Sequence, residues 1–224
     1  MAIHTETGPS HLMPSGYFLD KFVAHKMSEL TECGAPELSM ESSWLNDFIL
    51  SSFSRNHPPD RRAHPFEFIR RTEGAFSTYR EARAALIEYI EAASSSVISP
   101  YFRALLYFEL CLSQCWQGCD LIKGVIKITE GKEKAKEILF KEGDNTDMER
   151  LYEIYTDSRH YLAGGTAWSA ASGQPWTHPT TTWITNRGIE SARCPSGLSF
   201  PELVEILLSM GHLAGKLSRF EPAD

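Results

Sequence analysis

No apolar run in this 224-residue chain is long enough to cross a bilayer. The longest, around Leu105 to Leu112, is broken by Glu109, whereas a spanning helix needs about 20 apolar residues. Basic residues are also scarce: 22 Lys and Arg stand against 29 Asp and Glu, a formal net charge of -7. Coating nucleic acid by bulk electrostatics needs clustered cations that displace counterions, so this balance leaves only local patches for such a role. The cysteines number five, an odd count, and Cys111, Cys115 and Cys119 share one apolar run. That is no extracellular disulfide framework. Met1 to Pro14 also lacks a basic segment followed by an apolar one, so the expected setting is cytoplasmic, without a membrane.

Complete catalytic signatures are missing as well. The eight histidines form no H-E-x-x-H pair, and no Glu-x-x-His pair occurs twice. There is no phosphate-cradling loop with Gly, Lys and Ser or Thr in order, and no G-x-S-x-G elbow. Binuclear carboxylate, kinase, nucleotide hydrolase and serine hydrolase readings therefore lose their support. The four-residue spacing of Cys111, Cys115 and Cys119 puts them on one helical ridge. Structural zinc sites pair their ligands across a turn, so this spacing predicts reduced core cysteines with no metal and no cofactor.

What the sequence does have is helical periodicity. The first 13 residues read as a flexible arm, and residues 14–224 as a single all-α domain. A first helix is expected from Ser15 to Cys33, closed by Gly34, Ala35 and Pro36. A second follows from Glu37 to Phe53, with Trp44, Leu45, Phe48, Ile49 and Phe53 inward. From Pro65 to Val97, residues Ile69, Phe76, Tyr79, Leu86, Ile90, Ala93 and Val97 form one stripe. Ser99 and Pro100 reverse the chain into a fourth helix, Tyr101 to Thr129, and the pair predicts a long antiparallel hairpin at the centre of a bundle. Shorter helices are expected at Lys132 to Lys141 and Asp147 to Leu162. Residues 164–198 are loop-rich, with a short strand at Thr180 to Thr185 and a turn at Asn186, Arg187 and Gly188. Ser199 and Glu202 form a capping box for a last helix reaching about Arg219.

Two charges interrupt the central stripes. Arg83 falls between Tyr79 and Leu86, and Glu109 between Leu105 and Leu112. Measured from the Ser99 turn they are offset by ~9 Å along the axis, so they are not natural partners. Arg83 is expected to snorkel, while Glu109 needs a partner from another helix. The arginines from Arg55 to Arg83 read as a solvated face with pairs such as Glu67 and Arg71, or else as a local RNA patch.

On the penultimate long helix, Glu153, Asp157 and His160 share a face, and Arg159 lies beside Tyr155. A carboxylate that orients an imidazole can support proton transfer, although a surface Asp and His near a helix end look the same in sequence. With the paired long helices, the Tyr155 to His160 string and the Trp183, Ile184, Thr185, Asn186, Arg187, Gly188 string, the stretch from Arg70 to Arg219 resembles the HEPN superfamily. That family comprises small helical bundles, many of them bacterial ribonucleases of toxin and defence systems or their inactive relatives. The resemblance implies an Arg four to six residues before the catalytic His. Here those positions hold Thr156, Tyr155 and Ile154, so the cation beside a scissile phosphate is missing. The resulting expectation is a non-catalytic protein- or RNA-interaction module of HEPN-like type, working through a protein partner, as a homodimer, or on RNA. Its candidate binding residues are Arg83, Glu109, Tyr155, Trp183 and Arg187. The alternative is a metal-independent ribonuclease using His160 with Arg159 and Asp157, its cation borrowed from another helix or a second subunit. A third reading, a buried-ligand bundle, would use the surroundings of Glu109 and the cysteines.

Overall fold

A computed structural model of the chain describes residues 27–41, 43–55, 63–92, 99–129, 182–191, 194 and 196–219. In order these form helix α1 (Trp44–Arg55), helix α2 (Ala63–Glu91), helix α3 (Ser99–Thr129), strands β1 (Thr182–Ile184), β2 (Gly188–Ser191) and β3 (Leu198–Ser199), and helix α4 (Phe200–Ser218). The expected arm, the helices at 132–141 and 147–162, and most of the loop-rich segment lie outside the described residues.

The long hairpin is present. Tyr79 of α2 meets Phe108 of α3 edge to face, Arg71 donates to Gln114 at 3.2 Å, and Glu88 pairs with Arg103. Rising numbers on α2 thus meet falling numbers on α3, so the two helices run antiparallel. Ser99 and Pro100 belong to the first turn of α3 rather than to the loop before it, a place where proline's missing N–H removes no helical bond. Of the predicted α2 stripe, Ile69, Phe76, Tyr79 and Leu86 are fully buried. Helix α4 covers the pair with Phe200, Leu203, Ile206 and Leu207, and α1 adds Trp44, edge to face with Phe76 at 5.0 Å. Ile49, expected inward, is 40% exposed.

The chain before α1 departs from the sequence expectation. Helix reaches only to Ser28, and no helix occupies 30–41. Instead, α2 extends a row of donors to the carbonyls of this segment. Tyr79 Oη donates to Pro36 O at 2.8 Å, Arg83 Nε to Ala35 O at 3.0 Å, and Tyr89 Oη to Met27 O at 3.2 Å; Arg80 donates to Met40 O. Glu73 then accepts the α1 amide of Leu45 at 2.7 Å, supplying a carboxylate to the positive end of that helix. Helix α1 begins at Trp44 and not at Glu37, and within the stretch before it Met40 O is already bonded to Arg80 of α2.

The all-α expectation needs one addition. A three-stranded antiparallel sheet in the order β1-β2-β3 lies ahead of α4, where a short strand and a turn, at most a short hairpin, were expected. The described elements share one apolar core, and among the described residues no helix is long and apolar enough to cross a membrane.

Candidate functional site

The sheet begins with a two-residue turn. Asn186 and Arg187 join β1 to β2, and Thr185 closes the turn by donating its amide to Gly188 O at 2.9 Å while its hydroxyl accepts the Gly188 amide at 3.2 Å. The register places Trp183 opposite Glu190, and Trp183 Nε1 donates to Glu190 Oε2 at 2.8 Å. Strand β3 passes so close to β2 that a Cβ on Gly188 would lie 2.1 Å from Leu198 O. Strand β3 runs directly into α4, whose capping box is complete. Ser199 Oγ accepts the Glu202 amide at 3.3 Å, and Glu202 Oε2 accepts the Ser199 amide at 2.8 Å. Ser199→Ala is expected to lower stability by about 1 kcal/mol, the usual value of such a cap, measured by urea denaturation. No change would mean that the box contributes nothing here.

Beside β2 and β3 opens a cleft of about 330 Å³ whose lining includes Thr185, Arg187, Glu190, Ser196, Ser199 and Glu202. Arg187 is exposed and makes no ion pair among the described residues. Both carboxylates are engaged, Glu190 by the indole of Trp183 and Glu202 by the cap. No His, Cys or Lys lines the cleft among the described residues.

Beneath the sheet, β1 is fastened to α3 by two contacts. Thr182 Oγ1 donates to Glu109, and Tyr101 Oη accepts the Ile184 amide at 3.2 Å. Glu109 is 3% exposed. Burial pushes its carboxyl up to about 7, against the lowering effect of the Thr182 hydroxyl. Burial likewise pushes Tyr101 up to about 12, offset in part by the Ile184 amide. The expected partner of Glu109 was a helical side chain; among the described residues the partner is a strand hydroxyl, a dipole instead of a countercharge.

The sequence-derived candidates are thus scattered. Trp183 is buried and serves the strand pair, Arg187 stands at the cleft, Glu109 lies under the sheet, and Arg83 holds the segment before α1. His160, Arg159, Asp157 and Tyr155 lie outside the described residues. Of the arginine face, Glu67 pairs with Arg71 at 2.8 Å as foreseen, and with Arg70 at 2.7 Å. The Glu67 carboxyl is held below its ordinary value chiefly by the hydrogen bond from Arg70, with Arg71 adding to it. Cys111, Cys115 and Cys119 are buried core residues with free thiols, and burial pushes Cys119 up to about 12. Among the described residues no three His, Cys, Asp or Glu come together as a metal site requires.

Sequence reasoning missed Thr182 and Glu190. Glu190 was within reach: a turn centred on 186 and 187 sets position 190 opposite 183. Thr182 was not, since its role depends on a contact with a residue 73 positions away. Comparison with protein families, curated proteins and solved structures finds no match to this chain.

Proposed function

We propose that this chain is a helical binding module of HEPN-like type, without catalysis of its own, that engages a partner protein through the cleft beside the sheet. The observation that carries the reading is the make-up of that cleft: one exposed guanidinium, two carboxylates already occupied by their own fold, the exposed Ser196, and the hydroxyls of Thr185 and Ser199, which also serve the turn and the cap. Such a lining offers directed hydrogen bonds and a single charge to a peptide surface, but no described side chain suited to proton transfer near neutral pH or to nucleophilic attack. An RNA backbone would meet Glu190 and Glu202 as well as Arg187, on a protein of net charge -7, so a protein partner is favoured over RNA. The HEPN-like assignment rests on the sequence strings.

A photo-cross-linking side chain placed at Ser196, exposed on the cleft, tests the reading. Protein adducts of defined mass are expected in cells, a second copy of the chain among the acceptable partners, and Arg187→Glu should remove them. Adducts to RNA alone, or adducts indifferent to Arg187→Glu, would reject the protein-binding role. Purified protein incubated with structured and single-stranded RNA is expected to leave both intact. Cleavage that disappears in His160→Ala would establish a ribonuclease instead.

A further inference from the structure

Glu109 has no part in the cleft, yet it occupies the most demanding position of any described carboxylate. It sits in the apolar seam of α3 at the level where Tyr79 packs on Phe108, and among the described residues its side-chain hydrogen-bond partner is the Thr182 hydroxyl. Among the described residues, the titratable and charged groups of the packed elements have other partners or lie exposed. On α2, Tyr79 donates to Pro36 O and Arg83 to Ala35 O. On α3 itself, Tyr101 Oη accepts the Ile184 amide. On β2, Glu190 takes the Trp183 indole, and at the start of α4 Glu202 is held in the cap while Glu205 is exposed. None of these elements brings a cation to Glu109. An ionised carboxylate facing one neutral hydroxyl in such a place is poorly solvated, whereas the neutral acid fits.

We propose that Glu109, buried beneath β1, is a pH-sensitive latch: the β1–β2 hairpin stays on α3 while Glu109 is neutral and loosens when Glu109 ionises, because the cost of burying the charge exceeds what the Thr182 hydroxyl returns. The direction follows from proton linkage. With the hairpin detached, Glu109 meets water and titrates in the ordinary carboxylate range; docked, it is pushed up to about 7. Between those values the docked form holds a proton that the detached form has lost. Docking therefore weakens as pH rises from the ordinary range through 7, and stays level above that. The latch does not rest on the binding role of the cleft, although the hairpin it holds supplies Thr185, Arg187 and Glu190 to the cleft's lining.

Amide hydrogen exchange at Ile184 and Ile189, read by NMR and corrected for the intrinsic pH dependence, tests this on the full chain. In the wild type, protection is expected to fall at least about tenfold between about pH 5 and about pH 8, the equivalent of one unit of separation between the two carboxyl environments. Glu109→Gln, which keeps the shape and removes the titration, should abolish that fall. Protection that does not change with pH in the wild type, or a fall that persists in Glu109→Gln, would overturn the proposal. Should the variant not fold, the Glu109 carboxyl carbon shift decides in the wild type. Titration near neutrality in step with the loss of protection supports the latch, and titration in the ordinary carboxylate range ends it.

Discussion

Phe108→Ala is expected to lower the free energy of unfolding by about 3–5 kcal/mol, the range for truncating a fully buried aromatic side chain. Phe108 has no exposed surface and stands where three helices meet. Its ring contacts Tyr79 of α2 edge to face at 5.9 Å and Phe200 of α4 at 5.2 Å. Truncation removes both aromatic pairs as well as the apolar area, and the neighbours cannot easily close the gap. Tyr79 is tied by its hydroxyl to Pro36, and Phe200 by its amide to Arg187 O at 2.8 Å. Guanidinium denaturation should show a lower midpoint with an unchanged slope. A loss under about 1 kcal/mol would place Phe108 outside the core, against the structure, because surface substitutions stay near that level.

Gly188→Ala is expected to break the β2–β3 pairing. The reason is space and not conformational freedom. The added Cβ would stand 2.1 Å from Leu198 O and 2.7 Å from the Ser199 Cα, and both are backbone atoms that no rotamer change can move. Strand β3 cannot retreat without disturbing Ser199, which caps α4. The cost should reach the upper part of the overpacking range, about 3 kcal/mol. The Phe200 amide should lose its exchange protection while far-ultraviolet circular dichroism keeps the helices. A variant within about 0.5 kcal/mol of the wild type, with Phe200 still protected, would show that β3 does not approach β2 this closely.

Periodicity carried the long elements well. Ile69, Phe76, Tyr79 and Leu86 define a face that only a helix presents together, and the break at Ser99 left little choice but an antiparallel return. The strand and turn around Thr185 to Gly188 and the Ser199–Glu202 box were legible for a similar reason: their chemistry is complete within a few residues. Residues 30–41 were not. Locally they suit the ends of two helices, but the donors that bond their carbonyls come from Tyr79, Arg80 and Arg83, some 40 to 48 positions later. Glu109 marks the same boundary. Its misfit in the stripe was visible in the sequence, while its partner required the fold. The cleft, too, depends on Arg187, Glu190 and Glu202 being gathered by a sheet whose third strand is two residues long, too short to leave a pattern.

The turn that displays Arg187 also does work on its inner side. Asn186 accepts the amides of Thr31 at 2.9 Å and Glu32 at 3.3 Å through Oδ1, and donates through Nδ2 to Glu29 O and to the Thr31 hydroxyl. Gly34 leaves room for this clasp, since a Cβ there would lie 1.9 Å from Asn186 O. The partners are separated by 155 residues in the chain, so the clasp closes a very long loop whose entropy must be lost before any of its four hydrogen bonds forms. In time as well as in space it comes late: on a ribosome, Thr31 and Glu32 emerge about 150 residues ahead of the side chain that satisfies them. Until Asn186 arrives, water must occupy those two amides.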